Sequence, residues 1–63
     1  MRIHLTIKHK SKAIKTLNVN LSQLLGFTGE LPSDKMELLE QGFKCKGSVT
    51  VDGVRLTYLA IKL

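Results

Sequence analysis

The stretch that most constrains the fold is KGSVTVDGVRLTYLAIKL, residues 46–63. Two runs of alternating apolar and polar residues flank Asp52-Gly53, a dipeptide that readily takes the positive φ angles of a two-residue hairpin turn. With those residues in the turn, Val51 opposes Val54, Val49 opposes Leu56, and Cys45 opposes Ala60. One face then carries Cys45, Val49, Val51, Val54, Leu56, Tyr58 and Ala60. The other carries Lys44, Lys46, Ser48, Thr50, Arg55 and Thr57, then turns apolar at Leu59, Ile61 and Leu63.

The first twenty residues repeat the theme less clearly. Ile3, Leu5 and Ile7 alternate with His4, Thr6 and Lys8, predicting a strand over about residues 2–8. Leu17, Val19 and Leu21 alternate with Thr16, Asn18 and Asn20. The polar break between the two runs, His9-Lys10-Ser11-Lys12, contains no Gly, Asn or Asp, so it specifies no turn type. The register at Ala13-Ile14-Lys15 is open: either Ile14 faces outward or Lys15 faces inward.

Two short helices are expected between the hairpins. Asn20 with Gln23 forms a capping-box pattern, Leu21, Leu24 and Leu25 supply an apolar side, and Gly26 is the expected stop. A second helix should begin at Ser33 or Asp34, with acids in its early turns and Gly42 at its end. Met36, Leu39 and Phe43 follow helical spacing along it. The expected architecture is a small two-layer α+β domain, ββ-α-α-ββ: an antiparallel sheet of two β-hairpins with both short helices on one face.

A chain of 63 residues makes one domain, and one this small buries only about 60% of its unfolded surface. The lone Cys45 excludes an internal disulfide and fits a reducing, cytoplasmic setting. Self-association is then the expected supplement to stability. The N-terminus lacks the apolar run of a signal peptide, and no stretch approaches a membrane span, so no membrane association is expected.

The net charge of +5 is segregated. Arg2, Lys8, Lys10, Lys12 and Lys15 meet no acid in the first sixteen residues, whereas Glu30, Asp34, Glu37 and Glu40 crowd the middle. A sheet face of cations and hydroxyls without carboxylates suits phosphate oxygens. The expected partner is therefore nucleic acid, held by Arg2, Lys8, Lys10, Lys12, Lys44, Lys46 and Arg55. The competing reading is an ordinary solvated sheet face. Phe27, Phe43 and Tyr58, the only aromatics, fall at helix ends or on the apolar face, which favours a duplex backbone over base stacking. A helix-turn-helix at residues 21–41 fails because Asp34, Glu37 and Glu40 would repel phosphate.

Leu59, Ile61 and Leu63 interrupt the polar face and mark an oligomer or partner interface, unless a bulge near Gly47 or Tyr58 turns them inward. The alternative function is thus a protein-interaction module or inhibitor, acting as a homodimer or docked on a protein. His4, His9 and Cys45 match no metal motif, no catalytic set can be assembled, and no cofactor site is expected. A non-enzymatic binding or regulatory protein is the resulting expectation.

Overall fold

The computed structural model describes all 63 residues. Four strands, β1 (Arg2–His9), β2 (Lys12–Asn20), β3 (Cys45–Val51) and β4 (Val54–Lys62), form one sheet in the order β2-β1-β4-β3. Every pairing is antiparallel. Helices α1 (Leu21–Thr28) and α2 (Ser33–Glu40) complete the ββ-α-α-ββ order and make the domain two-layered. The first and last strands hold the centre, paired from Ile3↔Lys62 to Lys8↔Thr57, so the two hairpins lie side by side with their tips at one end.

The second hairpin has the register its sequence dictates, with Val51↔Val54, Val49↔Leu56 and Cys45↔Ala60 in one uninterrupted ladder. Asp52 and Gly53 take φ of 50° and 78°, as a two-residue turn between twisted strands requires. The first hairpin closes the same way through Lys10 (φ 50°) and Ser11 (φ 67°), two residues with no special tolerance for that region. A bulge follows, because Ile7 opposes Lys15 whereas Lys8 opposes Ala13, leaving Ile14 as the extra residue. Ile14 is 58% exposed.

Helix α1 departs from its expected end. Asn20 accepts from the Gln23 N–H at 2.8 Å and Gln23 Oε1 accepts from the Asn20 N–H at 2.9 Å, a complete capping box. The helix runs past Gly26 to Thr28, and Gly29 stops it with φ 75° and ψ −171°. That backbone region is open essentially to glycine alone, whereas Gly26 fits inside the helix. Helix α2 starts at Ser33 behind Pro32, with Asp34 in its first turn. Past its cap residue Gln41, Gly42 donates to the Leu39 carbonyl at 3.1 Å and Phe43 to that of Leu38 at 2.9 Å. These two bonds make a Schellman ending. Phe43 is therefore outside the helix and 58% exposed, despite its helical spacing from Leu39.

The core is Ile3, Leu5, Val19, Leu24, Leu39, Cys45, Tyr58 and Ala60, trapped between one sheet face and the helices. The rings of Phe27 and Tyr58 meet edge to face, 6.1 Å apart and at 78°. Eight-residue helices, about 12 Å each, cannot shelter strands of eight or nine residues along their whole length. The hairpin tips project, and Val51 and Val54 stay partly exposed on the helix-side face.

Candidate functional site

No strand contains a carboxylate, whereas Arg2, Lys8, Lys12, Lys15, Lys46, Arg55 and Lys62 all lie in strands. The acids sit in the Glu30 connection, in α2 and at the Asp52 turn. Helix capping and strand alternation thus separate charge between the two layers.

The outer face, away from the helices, can be read row by row across the sheet. Ala13, Lys8, Thr57 and Ser48 stand abreast, followed by Thr16, Thr6, Leu59 and Lys46, then Asn18, His4 and Ile61. His4 Nδ1 and Asn18 Oδ1 are 3.0 Å apart in that last row. Because the β3–β4 ladder has no bulge, Leu59 and Ile61 remain on the outer face, each half-buried by its flanking strands. Leu63 follows as an exposed residue whose N–H donates to the Arg2 carbonyl at 2.8 Å. The outer face is thus a short aliphatic stripe along β4, bordered by cations and hydroxyls.

The expected phosphate contacts do not form one group. Lys8, Lys46 and Arg55 line an open groove of about 610 Å³ together with Lys35, Ser48, Thr57 and Tyr58, and Glu30 also lies on its wall. Arg2 is on the same sheet face at the opposite end. Lys44 lies just before β3, outside any strand. Lys10 is part of the first turn. Lys12 opposes His9, two residues beyond Ile7, so it belongs to the helix-side face rather than the outer one. A second cavity of about 550 Å³ opens between the hairpin tips and shares Arg55 and Thr57 with the first. Lys35 and His9 were missed in the sequence. One comes from the helical layer, and the other gains its place only once β1 is known to lie beside β4.

Lys35 reaches the sheet edge, where its Nζ donates to the Lys46 carbonyl at 2.9 Å. Lys62 Nζ donates to the Glu40 carbonyl at 3.2 Å and fastens the end of β4 to α2. Cys45 is buried and free, and that burial pushes its thiol above the ordinary 9.0; nearby Lys35 opposes the shift and Asp34 adds to it. Burial likewise raises the Tyr58 hydroxyl above 10.0, with a smaller contribution from Cys45. A thiol held in its neutral form is a poor nucleophile. No three His, Cys, Asp or Glu side chains converge as metal ligands would. No helix is long and apolar enough to cross a membrane. No protein family, curated protein or solved structure matches this chain.

Proposed function

We propose that the protein is a non-enzymatic nucleic-acid-binding protein that lays the outer face of its sheet against a duplex backbone. The observation that carries this reading is the convergence of Lys8, Lys46 and Arg55 with the hydroxyl residues Ser48 and Thr57 on one groove. The strands forming that face hold no carboxylate. Ammonium and guanidinium groups supply charge to phosphate oxygens, and hydroxyls supply short hydrogen bonds. No aromatic side chain belongs to the outer face: Tyr58 packs in the core, and exposed Phe43 lies ahead of β3. Contact with the backbone is thus better supported than base stacking.

Fluorescence anisotropy of labelled random duplex DNA and RNA, at about 50 and 200 mM salt, tests the reading. Micromolar binding at the lower salt that collapses at the higher is expected. No binding at the lower salt overturns it.

A second reading follows from Leu59 and Ile61, which give the central strand β4 an apolar outer side with no layer over it. A protein partner could supply that layer. A second copy laid face to face would bring cationic surfaces together, which favours a partner with an acidic rim. Ile61→Lys should abolish such docking, or self-association if it occurs, as measured by mass in solution. Unchanged mass and partner capture would dismiss the stripe as an interface.

A further inference from the structure

The pairing between β1 and β4 stops at Lys8↔Thr57, although both hairpins continue beyond it. The bulge in the first hairpin falls at this level, and a bulge bends its strand and increases its twist. Beyond this level the two tips are unpaired, and between them lies a notch of about 550 Å³ lined by His9, Lys10, Ser11, Arg55 and Thr57, with Gly53 and Val54. That volume falls within the roughly 300–1,000 Å³ of ligand sites.

The main chain contributes as well. The Leu63 N–H donates to the Arg2 carbonyl, which fixes which residues of β4 turn their peptide groups toward β1. By the alternation of an antiparallel ladder these are Ile61, Leu59, Thr57 and then Arg55. Arg55 lies beyond the last pair, so its N–H and its carbonyl both face the notch rather than a strand. The notch therefore gathers Lys10, Arg55, an imidazole, two hydroxyls and the main-chain N–H and carbonyl of Arg55, and its lining includes no carboxylate side chain.

We propose that this notch is a phosphate-binding site, with Arg55 as its principal ligand and Lys10 and Ser11 closing it from the other hairpin. The phosphate group belongs either to a nucleic-acid backbone or to a free phosphoanion. The first source rests on the function proposed above, while the phosphate chemistry itself rests on the notch. Arg55 and Thr57 also line the larger groove, which runs from the sheet to the helical layer, so a backbone phosphate seated here would continue onto Lys8 and Lys46.

The test is a titration of ¹⁵N-labelled protein with inorganic phosphate, against chloride at matched ionic strength, followed by a short duplex. Saturable amide shifts confined to His9–Ser11 and Gly53–Thr57 are expected. Arg55→Gln should weaken phosphate binding about tenfold, the loss of one charge-assisted hydrogen bond. Lys62→Gln, which removes the same charge elsewhere, should change it less than about twofold, as expected of an exposed charge remote from the site. Lys10→Gln, at an exposed turn, provides an independent loss if Arg55→Gln perturbs the fold. Unsaturable shifts spread over all the lysines, or equal losses in Arg55→Gln and Lys62→Gln, overturn the proposal. If the duplex shifts the same amides and phosphate competes, the source is the backbone. If phosphate binds there and the duplex binds nowhere, the notch stands for free phosphoanions and the nucleic-acid reading falls.

Discussion

The ring of Tyr58 lies across the bare Cα of Gly47, its cross-strand partner, so closely that a Cβ on Gly47 would come within 2.6 Å of Tyr58 Cζ. Glycine here is a packing requirement, and its φ is not in the left-handed region. The aromatic ring covers the peptide surface that a missing side chain leaves open. Gly47→Ala should displace the ring, with its edge-to-face contact to Phe27, and destabilise the fold by about 1–3 kcal/mol. Urea denaturation checks this, and a loss below measurement error would refute the contact.

Gly26 presents the opposite case. It sits inside α1, is exposed, and has nothing within 4 Å of where a Cβ would be. Gly26→Ala should stabilise the protein by about 0.5–1 kcal/mol. A destabilisation would mean that the helix ends there after all. Ser11→Gly should also stabilise, by about 1 kcal/mol, because it relieves a left-handed residue.

The raised values of Cys45 and Tyr58 set an alkaline limit. Both groups are neutral in the fold and ionise more readily when unfolded, so stability is full below their unfolded values. It should fall as pH rises through about 9 and again past 10. Denaturation midpoints between pH 7 and 11 would reveal this, and a flat profile would contradict it. At pH 8 a thiol reagent should modify Cys45 only as fast as the protein opens. Rapid labelling would show the thiol to be accessible.

Lys35 guards the free edge of β3. Lys46, Ser48 and Thr50 turn their peptide groups away from β4, and the Lys35 ammonium occupies the first of those carbonyls. Lys35→Ala should change stability by less than about 1 kcal/mol yet increase strand-edge association several-fold. Light scattering at high protein concentration would detect this. Unchanged scattering would indicate that the edge is protected by other means.

Combined replacement of Arg2, Lys8, Lys46 and Arg55 by Gln should weaken duplex binding regardless of sequence. Each lost phosphate contact should flatten the log–log salt dependence by about 0.9. An unaltered slope would place any nucleic-acid contact elsewhere.

How much could be read from the sequence depended on local chemistry. Asp52-Gly53 fixed the second hairpin because its turn residues suit the required φ angles, and strict alternation then placed every side chain. The first hairpin was obscured because Lys10 and Ser11 take the same turn without the usual residues, and the bulge at Ile14 breaks the period. Gly26 reads as a stop signal by residue type, and only the backbone angles show that Gly29 is the residue that ends the helix. Phe43 looked like a continuation of the α2 apolar side, whereas Gly42 had already ended the helix. Most of the outer-face composition was legible from alternation alone, with Lys44, which lies ahead of β3, the exception. The groove and the notch were not, because each depends on β1 lying beside β4, a pairing between segments about fifty residues apart.

That central pairing has a consequence for a chain made one residue at a time. While synthesis proceeds from the N-terminus, β1 can pair with β2 once Lys12–Asn20 are made, but β4 appears on its other side only when Val54–Lys62 follow. During that interval β1 is a bare edge, exposing Ile3, Leu5 and Ile7 beside unpaired peptide groups. Until β4 is made, the growing chain is open to mispairing along that edge, and β4 both completes the pairing of β1 and ends the exposure.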